Sequence, residues 1–263
     1  MVLLSIIAAT LAGGLLSVLA AALVSFAVLE RWVPRLVSFA VGALLAVALL
    51  VLLPQAIESQ ADARGVFATL LAGLLAFFMM EKLALWRHSH VHGAGDGPGA
   101  HGHGAHGHAH DAPVGGRATA AMIVIGDSLH NFVDGVLIAA AFLADPKLGW
   151  AAAIAVIAHE IPQEVGDFLV LRASGFTRAR ALALNALSGL ASVVGGVLAY
   201  FLLSSLAGAI PYVLALAAAG FLYVAVADLI PNLHRRVAVR DAASQLALIA
   251  LGVATVVATG HTH

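Results

Sequence analysis

Long apolar runs, broken at intervals by short polar or proline-containing stretches, fill almost the whole chain. A membrane-spanning helix needs about 20 mostly apolar residues. Eight runs meet that length, at roughly 3–29, 36–57, 65–86, 118–143, 149–171, 180–205, 211–232 and 242–260. The breaks between them are Arg31 to Arg35 with Pro34, Glu58 to Arg64, a Gly/His stretch, Asp145-Pro146, Arg172 to Arg180, Gly208 to Pro211 and His234 to Asp241. Gly, Pro and clustered polar residues are where helices stop. The first run lacks a basic leading segment and is longer than a signal peptide's apolar core, so it is expected to be a retained helix.

Composition agrees with this pattern. The 263 residues are 62% hydrophobic and 10% charged, against about a quarter charged in ordinary soluble domains. The chain therefore reads as an all-α polytopic membrane protein with eight transmembrane helices. It contains no cysteine, which excludes disulfides and thiolate metal sites and leaves imidazole, carboxylate and amide groups as metal ligands.

Charge orients the bundle, because Lys and Arg accumulate on the cytoplasmic side. Arg31, Arg35, Lys82, Arg87, Arg117, Arg172, Arg178, Arg180, Arg235, Arg236 and Arg240 flank the odd-numbered connections, whereas only Arg64 and Lys147 flank the even-numbered ones. With an even number of spans, both termini are expected outside. The net charge of −1 hides this polarity and gives no support for nucleic-acid binding.

Two spans depart from the apolar rule. Span four contains GDSLHNFVDG (126–135), with Asp127, His130, Asn131 and Asp134. Span five contains HEIPQEVGD (159–167), with His159, Glu160, Gln163, Glu164 and Asp167. No Lys or Arg lies near the middle of any span. Each ionised group at that depth costs at least ~2.5–3.5 kcal/mol on insertion scales, so a cation or protons must compensate. Residues three and four apart share a helix face. That puts Asp127, His130 and Asp134 in one stripe with Asn131 beside it, stacks His159 on Gln163, and sets Glu160, Glu164 and Asp167 in a neighbouring stripe. Oxygen ligands with neutral imidazole suit a borderline divalent ion such as Zn²⁺. Fe²⁺, Mn²⁺, Co²⁺ and Cd²⁺ accept the same donors, and nothing in the sequence calls for an organic cofactor. Pro162 leaves the carbonyl of Ala158 without its helical donor. Asp228, near the end of span seven, is a weaker candidate for the ion's pathway.

Between spans three and four lies a low-complexity stretch carrying His88, His90, His92, His101, His103, His106, His108 and His110 among Gly and Ala. It cannot bury a core, so disorder is expected, and its imidazoles suit exchangeable binding of Zn²⁺ on the cytoplasmic side. The expected organisation is a single membrane domain: helices one to three (1–87), the His-rich loop (88–116), the polar helices four and five (117–172) and helices six to eight (173–263). Compact loops point to a bacterial inner membrane.

HNFVDG and HEIPQEVGD, together with FFMMEKL (77–83) and GFLYVAVADLIPNL (220–233), resemble the ZIP (Zrt/Irt-like protein) family of divalent-metal transporters. The similarity is to the branch with an HExPxExGD motif and a His-rich loop, and it extends along essentially the whole chain. The resemblance implies a homodimer with a 3+2+3 inverted-repeat fold, in which spans one, four, five and six move against two, three, seven and eight. It also implies zinc uptake through a binuclear site. His130, Asp134, His159 and Gln163 would line one metal position; Asn131, Asp134, Glu160 and Gln163 would line the other, with Asp134 as the bridge. Gln163 stands where Glu or His is common in the family, and Ser192 aligns with a glutamate that some members supply. The second position is therefore less charged, and Glu164 is a local substitute; Asp127 and Asp167 are further candidates. A modest sign of the inverted repeat is independent of the family: LLPQ (52–55) closes span two outside and LIPN (229–232) closes span seven inside.

Two other classes share part of this pattern. An intramembrane metalloprotease needs HExxH, but residues 159–163 read HEIPQ, without the second His. A cation-diffusion-type exporter also pairs a His-rich loop with intramembrane Asp and His, but it has six spans and a sizeable cytoplasmic C-terminal domain. The expected protein is a transporter and not an enzyme.

Overall fold

A computed structural model describes residues 1–24, 32–59, 62–91, 117–234 and 239–260. It is built of helices, with no strand among the described residues. Eight rods account for the eight expected spans: α1 (Val2–Val24), α2 (Val33–Glu58), α3 (Ala63–Val91), α4 (Arg117–Ala144), α5 (Pro146–Ala173), α6 (Arg178–Ser204), α7 (210–234, entered through a short 3₁₀ turn, Ala207–Ala209) and α8 (Val239–Gly260). Seven are long and apolar enough to cross a bilayer. The remaining rod, α5, is as long as α4 at 28 residues but carries Glu160, Glu164 and Asp167. Those acids, and not its length, set it apart.

Local chemistry fixes several ends. Asp145 caps α5 by accepting from the backbone N–H of Lys147 at 2.7 Å, with Pro146 at the first helical position where its missing N–H costs nothing. Asp62 accepts from the N–H groups of Arg64 and Gly65 at the start of α3. The chain leaves α5 through Gly175, whose φ of 90° suits a residue without a Cβ. Helix α3 runs on to Val91, so His88 and His90 fall on its final turns and not in the loop expected from residue 88. His92, His101, His103, His106, His108 and His110 lie outside the described residues, as do Arg31, Arg235 and Arg236.

The LLPQ and LIPN fragments prove to be the ends of a longer correspondence. VALLVLLPQ (47–55) in α2 and VAVADLIPN (224–232) in α7 both adopt a π turn, over Val47–Leu52 and Val224–Leu229, ending just ahead of the proline segment. In each, the residue preceding proline bonds five residues back: Leu53 N–H to Ala48 and Ile230 N–H to Ala225. In an α-helix a proline ring clashes with the carbonyl four residues back and cannot donate to it; the wider turn opens the backbone there, while Leu53 and Ile230 keep right-handed helical dihedrals. Helix α5, by contrast, stays α-helical across Pro162.

Two packing groups can be traced among the rods, joined where α5 also lies on α2 and α8. Helix α4 lies most extensively on α6, and α1 packs on α5 and α6. Helix α2 lies on α8, and α3 on α7. Glycine makes the two tightest pairs. A Cβ on Gly135 would come within 1.9 Å of the Ser192 carbonyl oxygen, and one on Gly195 within 2.1 Å of that of Phe132, so α4 and α6 touch backbone to backbone. Gly42 and Gly252 do the same for α2 and α8. Close approach through small residues is the usual device in a membrane, where no hydrophobic drive separates helix from lipid.

Gly135→Ala is therefore expected to force α4 and α6 apart, at a cost of roughly 1–3 kcal/mol, and to lower the midpoint of thermal unfolding in detergent. Gly126→Ala, on the same helix with nothing within 4 Å of the added carbon, is expected to leave the midpoint unchanged or raise it. Equal midpoints for the two variants would contradict the backbone clasp.

Candidate metal centre

The stripes on α4 and α5 meet inside the first group of helices. His130 and Asp134 come from α4, four residues apart; His159 and Glu160 come from α5, adjacent in sequence. Their ligand atoms converge. His130 Nε2 lies 3.2 Å from His159 Nε2, 3.6 Å from Asp134 Oδ2 and 3.4 Å from Glu160 Oε1; His159 Nε2 lies 3.2 Å from Asp134 Oδ2 and 3.6 Å from Glu160 Oε1. A tetrahedral Zn²⁺ with bonds of ~2.0–2.1 Å holds its four ligand atoms about 3.3–3.4 Å apart. Five of the six edges of the present arrangement bracket that value.

The contacts lie within ion-pair distance and also suit ligands to a common ion. Asp134 Oδ2 and both carboxylate oxygens of Glu160 are buried without a hydrogen-bond partner, although imidazole nitrogens lie close by. Lone pairs aimed at a common centre do not point at one another. His159 Nδ1 faces the carbonyl of Ala155 at 3.1 Å. A ring nitrogen against a carbonyl must be the protonated one, so in the neutral ring Nε2 is the nitrogen that can present a lone pair to the centre. His159, Asp134 and Glu160 are buried, whereas 26% of the His130 side chain is exposed. On the far side the buried ring of Phe221, from α7, meets His159 edge-on at 6.4 Å between centroids. Phe221 therefore forms part of the wall between the two helix groups.

A second convergence lies toward the start of α4 and the end of α5, where Asp127, Glu160 and Glu164 each offer an oxygen, all within 4.8 Å of one another. Asp127 is held in place by amides: its Oδ1 accepts from Asn131 Nδ2 at 3.1 Å and from Gln163 Nε2 at 3.4 Å. Glu164 is fully buried and neither carboxylate oxygen has a partner; its backbone carbonyl accepts from Asn185 Nδ2 of α6 at 2.8 Å. Glu160 belongs to both convergences.

Among imidazole and carboxylate groups, Glu160 joins His130, Asp134 and His159, three of the four residues that the resemblance implies for one metal position, while the Gln163 and Asn131 amide nitrogens donate to Asp127. Ser192 does meet Asn131 and Glu160, across a cavity of about 10 Å³ that Thr10 of α1 also lines, close to the room one water needs. Asp167 is partly buried and Asp228 stands exposed on the π turn of α7; neither belongs to the two convergences. Phe221 and Asn185 were not singled out from the sequence. Asn185 could have been, as an amide inside an apolar run, whereas Phe221 has no signal that separates it from any other core aromatic.

Comparison with known proteins points the same way. Residues 86–260 match the sequence profile of the family described as ZIP Zinc transporter. Zinc transporter ZIP6 of Homo sapiens is 40% identical over 119 residues, covering 45% of this chain and 16% of that protein. Zinc transporter ZIP4 of Rattus norvegicus is 42% identical over 110 residues, 42% of this chain and 17% of that protein. Zinc transporter zipt-7.1 of Caenorhabditis briggsae is 34% identical over 120 residues, 44% of this chain and 31% of that protein. The chain spans between about a sixth and a third of the length of these relatives.

The geometry ranks two neighbouring residues of α5. In the tightest phase of a Zn²⁺ titration of the purified protein, Glu160→Gln is expected to weaken binding by on the order of tenfold or more, and Gln163→Ala by much less than tenfold. The reverse order would contradict the quartet described here.

Proposed function

The chain belongs to the ZIP zinc transporter family, and on that premise we propose that it carries Zn²⁺ across a membrane, into the cytoplasm, through the His130, Asp134, His159 and Glu160 centre. The observation that carries this reading is the fit of five ligand separations, 3.2–3.6 Å, to a tetrahedral ion. The ion is the cargo. It sheds water as two imidazoles and two carboxylates replace its hydration shell, and the buried acids gain the positive charge that the protein itself does not supply. In this reading the chain moves an ion and catalyses no bond change.

Release requires the centre to face the other side. The grouping of α1, α4, α5 and α6 against α2, α3, α7 and α8 supports an alternating-access motion in which the first group carries the centre past the second, with the contact between Phe221 and His159 breaking and re-forming. Two copies joined through the second group make the expected homodimer, and a bacterial inner membrane is the expected setting. The His-rich stretch on the cytoplasmic side would receive the released ion. Fe²⁺, Mn²⁺, Co²⁺ and Cd²⁺ fit the same donor types with other geometries, so they are expected as competitors weaker than Zn²⁺, with Cd²⁺ nearest to it.

Asp134→Ala removes one of the two carboxylates from the quartet. In proteoliposomes loaded with a zinc-sensitive dye, the variant is expected to lose at least about tenfold in the rate of Zn²⁺ entry while inserting to the same extent as the unmodified chain. Entry at an undiminished rate would contradict the reading.

A further inference from the structure

A cavity of about 420 Å³ opens beside the ends of α2 and α4 and the start of α7, away from the ion's centre. Leu143 lies roughly 14 Å beyond Asp134 along α4, at about 1.5 Å per residue. The basic residues assign this end of the bundle to the outside. The lining comes from both helix groups. Leu143 and Ala144 belong to α4, Gln55 to α2, and Tyr212 and Leu214 to α7, while Gly208 comes from the connection between α6 and α7. No residue of the lining is charged, so nothing in it attracts a metal ion.

Two polar groups stand out on its largely apolar wall. The half-buried Gln55 amide and the Tyr212 hydroxyl have no hydrogen bond among the described residues, whereas the Ser59 hydroxyl is taken by the Ala56 carbonyl at 2.8 Å. A concave, mostly apolar space of this size with a few polar groups is the usual form of a small-molecule site. An acyl chain would cover the apolar wall but leave the amide and the phenol unpaired. We propose that the cavity is a regulatory site for an uncharged small molecule, which sets an amide-type edge on Gln55 and Tyr212 and an apolar ring on Leu143 and Leu214, and whose occupancy slows transport. This inference rests on the alternating-access reading given above.

Position supplies the mechanism. Helix α4 carries two of the four quartet ligands and also touches α7. In an alternating-access motion the α4 part of the lining travels with the ion, while the α2 and α7 parts stay with the framework. The cavity therefore has a different shape in each state. A ligand shifts such an equilibrium only by its difference in affinity for the two states. One fitted to a single shape holds the centre on one side of the membrane without touching the ion or its ligands.

The absence of cysteine from the chain allows a single thiol to be placed in the cavity. A carbon added at Gly208 meets nothing within 4 Å, so Gly208→Cys is expected to carry Zn²⁺ at the unmodified rate. Labelled in detergent with benzyl methanethiosulfonate and then reconstituted, it is expected to lose at least about tenfold in the rate of Zn²⁺ entry, because the tether keeps the ring at high local concentration. Reduction with dithiothreitol is expected to restore the rate. The smaller methyl adduct at the same position, and the benzyl adduct of Ser205→Cys, outside the lining, are expected to leave it unchanged. Benzamide, an uncharged ring with an amide edge, is expected at millimolar concentration to slow benzyl labelling of Gly208→Cys and not of Ser205→Cys, and Gln55→Leu is expected to remove that protection while Zn²⁺ entry persists. Full entry in the benzyl-labelled Gly208→Cys with the adduct confirmed by mass, equal loss at both positions, or labelling that benzamide does not slow or still slows in Gln55→Leu overturns this inference and leaves the transport reading standing. Absence of Zn²⁺ entry through the unmodified protein overturns the transport reading itself.

Discussion

The burial of acids without a fixed counter-charge is the constraint on which this structure turns. Asp134 and Glu160 are closed off from solvent with carboxylate oxygens that no donor satisfies. Such groups are tolerated only where something else supplies positive charge. The surrounding framework looks built to hold them in that condition. The Ala155 carbonyl fixes the tautomer of His159, Phe221 closes its far side, and the glycines of α4 and α6 bring the two backbones together behind it. Tight packing also limits how far the ligands can relax toward each other or toward water. A centre that is costly when empty and rigid in outline gives its binding energy to an ion that matches the outline.

The same packing suggests how the centre travels. Backbone-to-backbone clasps unite α4 with α6 and α2 with α8, whereas the two groups meet where α5 lies on α2 and α8 and where Phe221 packs on His159. Surfaces that meet through side chains can slide and repack, whereas interlocked backbones move together. The paired π turns of α2 and α7 both fall in the second group, at matching positions relative to Pro54 and Pro231. Their correspondence across helices two and seven extends the four-residue similarity to nine residues, and it supports an internal repeat in the framework against which the first group moves.

Much of this could be read before any coordinates. Apolar run lengths locate eight rods, most of their ends to within three residues, because the bilayer sets one length for every span; the expected end of the first, at 29, lies outside the described residues. The polar stripes of α4 and α5 stand out because each such residue is costly at that depth. What hydropathy cannot give is the rotation of α5 about its own axis. Glu160 and Gln163 lie on adjoining faces, and a turn of the helix by less than the ~100° between successive residues exchanges one for the other at the centre. Family resemblance gives both residues to the site; in the coordinates the Glu160 carboxylate joins the quartet and the Gln163 amide nitrogen donates to Asp127. The continuation of α3 to Val91 is illegible for a different reason: His88 and His90 carry the composition of a loop while the helix before them has no stop signal.

The central claim is that four side chains stand ready around a point before the ion arrives. A zinc-bound structure of the unmodified chain, set beside a metal-free one, tests it most directly. The account predicts Zn²⁺ about 2.0–2.1 Å from His130 Nε2, His159 Nε2, Asp134 and Glu160, with those atoms displaced by less than roughly 0.5 Å. An ion held elsewhere, or one ligated by Gln163 after Glu160 has swung away, would contradict it.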